Sequence, residues 1–214
     1  MAEVGFTVLR AEAVADAAVP LVGLAVRVVA RPAEAVIHGI ALRVQVRLDV
    51  ARRRYSAVEE QQLGEIFGAP AQWAQSLKSL LWTNLSVNVP AFAEETTVDL
   101  ELPCTFDLHH AAAKYLYGLE EGDVPLTLLF SGSVFHVGDE RTLQVAPIPW
   151  SQEDAFRVPI ATWRAAMDMH YAGRAAFEVS RDLFDRVQRY RVRRGLASWD
   201  AALASLLAAA EVQV

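Results

Sequence analysis

The chain has 214 residues, 53% of them hydrophobic and 21% charged, with a formal net charge of −6. It can bury a sizeable core, it is too apolar for intrinsic disorder, and its acidic balance argues against the basic footprint of a nucleic-acid binder. The single Cys104 excludes an internal disulfide and a multi-cysteine metal cluster, and no apolar run approaches the ~20 residues that span a bilayer.

Gly5 to Ala13 begins with alternating Phe6 and Val8 and reads as a first strand. Asp16 to Pro20 is a break. Leu21 to Ala30 places Leu24, Val26 and Val28 on one face and Arg27 on the other. Arg31-Pro32-Ala33-Glu34 is a turn, because proline fixes φ and cannot donate to a ladder. The stretch from Ile40 to Tyr55 is the strongest signal in the chain. Leu42, Val44, Val46 and Leu48 fall on one side, and Arg43, Gln45, Arg47 and Asp49 on the other. That period of two marks a strand with one dry and one wet face. With the preceding strand and short turn it is expected to form an antiparallel hairpin.

A helical insert follows at 56–82. Ser56 and Glu59 form a capping box ahead of a helix carrying Leu63, Ile66 and Phe67, which stops at Gly68. Pro70 opens a second expected helix with Trp73, Leu77, Leu80 and Leu81 at helical spacing. Strands return at Leu85–Val89 and at Val98–Leu102. Residues 104–119 suit a short helix, since three alanines favour one. Leu126–His136 is apolar on both faces and reads as a central strand, in which Gly132 marks a bulge or a close backbone approach. Gly138-Asp139-Glu140 turns the chain into a last strand, Leu143 to Ile148.

Pro147-Ile148-Pro149-Trp150 reads as a rigid joint, and helices follow. One carries Ile160, Trp163, Met167 and Tyr171. Ser180 caps another, with Leu183, Phe184, Val187 and Tyr190 expected inside and Arg181, Arg186, Arg189, Arg193 and Arg194 outside. Gly195 ends it. Ser198 caps a third, with Trp199, Leu203, Leu206 and Leu207 expected inside. All five tryptophans are expected in the core. The fold class is α+β: a mostly antiparallel β-sandwich or curved sheet with an inserted helical hairpin and C-terminal helices. The expected division is a β-rich domain at 1–150 and a helical subdomain at 151–214 packed on it.

An ordered set of motifs adds a resemblance. It runs from Arg52-Arg53-Arg54-Tyr55 through Leu63-Gly64-Glu65-Ile66-Phe67-Gly68, Leu80-Leu81-Trp82 and Pro103-Cys104-Thr105-Phe106-Asp107. It continues through Ala113-Lys114-Tyr115, Leu129-Phe130-Ser131-Gly132-Ser133-Val134-Phe135 and Ile148-Pro149-Trp150, and closes on Ser198-Trp199-Asp200-Ala201-Ala202. The chain resembles an uncharacterised bacterial domain-of-unknown-function family whose genes often lie near those of uptake nickel-iron hydrogenases. The resemblance implies an accessory role and supplies no catalytic residues. A second likeness, of Val124-Pro125-Leu126 through Phe135 to the SecB-type export chaperone, implies a holdase.

Candidate chemistry is sparse. His109 and His110 lie near Asp107, with His136 at a strand end; imidazole and carboxylate bind zinc or iron, but adjacent helical residues point about 100° apart. Cys104 with His109 invites a nucleophile reading, yet no glycine-rich elbow flanks it. No phosphate-cradling glycine motif occurs. Two arginine groups stand out as candidate partner-docking residues: Arg52, Arg53 and Arg54, and Arg186, Arg189 and Arg193. The alternatives are a hairpin end paired with Glu59, Glu60 or Glu65, and a solvated helix face balanced by Asp182 and Asp185.

The sequence therefore points to a non-catalytic accessory or binding protein that docks a protein partner and assists the assembly or function of a redox enzyme such as an uptake hydrogenase. Two alternatives stand beside it, a SecB-like holdase and an enzyme with a cryptic histidine-containing site. No catalytic residue, cofactor or metal ligand is assigned, and no nucleic-acid partner or membrane span is expected. The Met-Ala-Glu-Val start has neither the basic nor the apolar region of a signal peptide, so a cytoplasmic location is expected.

Overall fold

Alternating apolar side chains build two antiparallel sheets that face each other. The computed structural model describes residues 2–138, 142–175 and 177–211. Of the turn expected at 138–140, Asp139 and Glu140 lie outside the described residues. One sheet contains β1 (Glu3–Ala13), β2 (Leu21–Arg31) and β6 (Glu95–Pro103), in the order β1-β2-β6. The other is built on β3 (Val36–Leu48) and β7 (Asp123–Val137), with β4 (Leu80–Val89) on the far side of β3. The remaining edge of β7 is shared. β8 (Leu143–Pro147) pairs with its second half and β9 (Glu153–Pro159) with its first. The short β5 (Phe92–Ala93) pairs with the start of β3.

The two-residue period of β3 holds in three dimensions. Ile40, Leu42, Val44, Val46 and Leu48 are all buried, each no more than 2% exposed. They meet Val22, Leu24, Val26 and Val28 of β2 in one core. The facing sheets are joined at its centre by Phe6 of β1 and Phe130 of β7, whose rings stack at 4.3 Å and 10°. Gly132, two residues on, has φ of 133°, and a Cβ there would lie 2.0 Å from the Ala41 carbonyl oxygen. It is the close backbone approach anticipated for that glycine.

Three expectations are corrected. β2 and β3 are not a hairpin; the chain leaves one sheet at Arg31 and enters the other at Val36. Alternation shows that each strand has a dry face but does not choose its neighbour. The second insert helix shrinks to a turn at Pro70–Gln72 and α2 (Trp73–Ser76), after α1 (Ala57–Phe67). Leu80 and Leu81 instead open β4 opposite Leu48 and Arg47. Their spacing fits a helix, but the open edge of β3 supplies the backbone partners that a strand needs. The sheet also continues past residue 150 into β9, which sequence reading missed.

That strand moves the domain boundary. α3 (Ala111–Tyr117) is the expected short helix, and α4 (Ile160–Tyr171) packs on β1 and β2. The chain divides into Met1–Ala175 and Ala176–Val214, not at 150. The second unit holds α5 (Arg181–Arg193) and α6 (Trp199–Glu211). No helix among the described residues is long and apolar enough to cross a membrane.

Phe130→Ala is expected to lower the unfolding free energy by about 3–5 kcal/mol. A double-mutant cycle with Phe6→Ala should leave a coupling of about 0.5–1.5 kcal/mol. Urea unfolding of the four chains measures both, and strictly additive losses would contradict ring stacking between the sheets.

Candidate functional site

The two arginine groups have different fates. Arg52, Arg53 and Arg54 follow β3 through a 3-10 turn at Val50–Arg52. Arg52 is exposed and lies 3.8 Å from Asp49. Arg54 is exposed as well. Arg53 turns inward, with its side chain only 8% exposed. It forms an ion pair with Glu59, and its guanidinium donates to the carbonyl oxygens of Glu121 at 2.7 Å and Asp123 at 3.0 Å. These three arginines are therefore not one recognition patch. The central one is a structural post that ties the turn after β3 to α1 and to the start of β7.

Glu59 is the other half of that post. It completes the capping box with Ser56 and also accepts from the backbone N–H of Glu120 at 2.9 Å. Burial alone would raise its carboxyl pKa; the backbone donors of Ser56 and Glu120 and the adjacent Arg53 outweigh this and hold it below the ordinary range. Tyr55 and Tyr115 lie beside it with hydroxyls 3.0 Å apart. Burial raises the pKa of both phenols.

Arg186, Arg189 and Arg193 are exposed on α5. Their i, i+3, i+7 spacing places them along one helix face, spanning about 10 Å at 1.5 Å per residue. Arg186 lies 3.8 Å from Asp182. Among the described residues, neither Arg189 nor Arg193 has a carboxylate within ion-pair range. The neighbouring arginines are engaged by aromatic rings: Arg191 sits 4.9 Å from the Trp199 ring centroid and Arg194 5.6 Å from that of Tyr190. The stripe borders a groove of about 640 Å³ along α5, which Leu183, Val187, Tyr190 and Leu206 make partly apolar.

The hairpin itself is closed by few contacts. Ser180 and Ser198 cap the two helices as expected, accepting from Leu183 N–H at 3.3 Å and Ala201 N–H at 3.0 Å. Tyr190 and Ser205 hydroxyls bond at 2.7 Å, and the Phe184 and Trp199 rings lie 5.0 Å apart. The side chains expected inside are nevertheless largely open. Leu183, Phe184 and Trp199 are about two-fifths exposed, and Leu207 is 65% exposed. Among the described residues of this unit only Ala202 is buried. A second, almost wholly apolar groove of about 310 Å³ lies where Phe177, Phe184, Trp199 and Leu203 meet. The expectation of five core tryptophans fails here and again at Trp150, which is 93% exposed beside β8.

His109, His110 and His136 do not gather at one site, although His110 shares a cavity with Cys104. His109 and His110 are exposed, and His110 lies 3.4 Å from Asp107. His136 is buried in β7, where its Nδ1 lies 3.3 Å from the Val137 carbonyl oxygen. Among the described residues, no three His, Cys, Asp or Glu side chains gather around a possible metal position. Cys104 and His110 line a cavity of about 310 Å³ with Thr105 and Trp163. Burial pushes the Cys104 thiol up to about 12, so it is protonated at neutral pH and is not an activated nucleophile.

Over residues 1–214 the chain matches the model of a family of unknown function, DUF6084. The chain belongs to that family. No curated protein matches it. Among solved structures, this family member is similar to the CARDB domain of a Pyrococcus furiosus protein, described in complex with di-metal ions. The identity is 13% and the TM-score 0.29, over 73% of this chain and 91% of that one. It is also similar to β-glucosidase 3B from Thermotoga neapolitana, described in complex with α-D-glucose. Here the identity is 10% and the TM-score 0.26, over 74% of this chain and 17% of that one.

Sequence reading found the stripe on α5 but missed the partial exposure of the hairpin's apolar residues. The signal was available: Val192 lies on the side of α5 opposite Leu183 and Val187, so one partner helix cannot cover all three.

Replacing Arg53 by Ala is expected to cost about 3–5 kcal/mol, because Glu59 is left as an uncompensated buried charge. Arg54→Ala should change stability by less than about 0.5 kcal/mol. The Glu59 contribution has a defined pH sense. It is fully present above the unfolded carboxylate value of about 4.3 and is lost as pH falls through the lower folded value. The stability difference between the parent chain and Glu59→Gln should therefore shrink in acid, and a difference that grew below pH 4 in chemical denaturation would contradict the assignment.

Proposed function

We propose that this protein is a non-catalytic accessory protein that docks a partner through its C-terminal helical hairpin. The observation that carries the reading is the poverty of the hairpin's own core, with Ala202 its single buried residue among those described. Two amphipathic helices leave apolar surface that water does not favour, and such surface is characteristic of interaction sites. Val192 and Leu207, both more than three-fifths exposed, lie on that surface. The family resemblance adds a finer proposal, that the partner belongs to a redox enzyme such as an uptake hydrogenase or to its assembly.

One observation favours a second reading. The apolar groove at Phe184 and Trp199 also suits a holdase, which binds unfolded chains with little regard for charge. A holdase would suppress aggregation of a heat-unfolded model protein. The docking reading expects no suppression.

Purification of the full chain from its own host at low salt, followed by native mass spectrometry, is expected to retain a second chain. A variant carrying Val192→Asp and Leu207→Asp should lose it. Because both positions are exposed, its unfolding midpoint should move by less than about 2 °C. Retention of the partner by that variant would sink the hairpin as the docking element.

A further inference from the structure

We infer that the α5 face of the hairpin receives an acidic amphipathic helix of a protein partner, which completes a three-helix layer. This inference rests on the docking reading above and specifies the chemistry of the occupant.

The charge pattern is one-sided. From Arg186 to Arg194 the chain places five arginines and no carboxylate. Arg191 and Arg194 are held over aromatic rings of the hairpin. Arg186, Arg189 and Arg193 are left along one face, and only Arg186 has a carboxylate nearby, at 3.8 Å. An opposing helix can match them with carboxylates at the same i, i+3 or i+4, i+7 spacing. Arginine suits this role because its planar fork pairs bidentately with carboxylate and it is less strongly hydrated than lysine.

The apolar part of the groove narrows the choice further. Leu183, Val187, Tyr190 and Leu206 border the arginine stripe. A sugar-phosphate backbone would leave these side chains uncovered. An amphipathic helix covers them with its own apolar residues while its acidic flank meets the arginines. The net charge of −6 on the whole chain also opposes long-range attraction to a polyanion such as DNA or an anionic bilayer, whereas a short acidic helix needs only the local field.

The test uses the full chain and two designed helical peptides of about 18 residues, by fluorescence anisotropy. One carries Leu at i, i+4 and i+7 flanked by Glu; the other has every Glu replaced by Lys. At about 50 mM salt the Glu peptide is expected to bind at least about tenfold more tightly than the Lys peptide, and the preference should shrink at about 300 mM. The triple variant Arg186→Gln, Arg189→Gln, Arg193→Gln should abolish the preference with an unchanged circular dichroism spectrum. Val187→Asp should weaken whatever binding remains. Equal affinity for both peptides, or no binding of the Glu peptide, overturns the inference. So does tighter binding to a 20-base-pair DNA duplex or to phosphatidylglycerol vesicles. The docking reading is judged separately: a partner lost on substitution of Val192 and Leu207 from a chain that ignores the Glu peptide leaves docking standing and removes only the acidic helix.

Discussion

The stacking of Phe6 on Phe130 is the contact on which the sheet unit depends. It joins the outer strand of the smaller sheet to the middle of the larger one. Aromatic pairs of this kind add about 0.5–1.5 kcal/mol beyond the apolar area they bury. Their larger effect here is positional. Phe130 lies opposite Val44 of β3 and is followed at Gly132 by the close approach to Ala41. The depth at which the two dry faces meet is thus set at the strand that also carries both outer partners, β8 and β9.

Charge follows a different rule in each of the two units. Near β3 it is internal. Arg53 and Glu59 are both buried; apart from Arg53 Nε, which has no hydrogen-bond partner among the described residues, they are satisfied by each other and by backbone groups, and such satisfaction is what makes a buried ion pair tolerable. On α5 charge is external. Arginines stand beside apolar side chains that no third element covers within the hairpin. The first arrangement makes a rigid joint of the segment after β3. The second leaves arginines and apolar side chains exposed side by side along one helix.

The strands were legible wherever a single face is dry. β3 from Ile40, β4 from Asn84 and the whole of β6 show clean alternation, and each has the wet face that its sequence implies. Three helix starts were equally legible, because Ser56, Ser180 and Ser198 act through bonds to residues only three positions away. β9 was not legible. Its Glu-Asp-Ala-Phe-Arg-Val-Pro sequence has charged residues at three of seven positions, and its identity as a strand comes from β7, which offers an unpaired edge more than 20 residues upstream. The same holds for Leu80 and Leu81, which obey a helical period until β3 claims them. Arg53 was recognisable as one of three cations, but its burial depends on the carbonyls of Glu121 and Asp123, which only the fold brings near.

By itself the sequence determined the period of the strands with one dry face, the serine caps that start three helices, and the acidic balance of the chain. These are local or summed properties, written within a few residues or in the composition. The tertiary structure decided which sheet each strand joins, where the chain divides, which arginine is buried and which are exposed, and how little of the α5–α6 hairpin is covered. Each of those depends on pairing between residues far apart in the chain, and a one-residue or one-strand change of partner leaves every local period intact while moving the side chains to a different face.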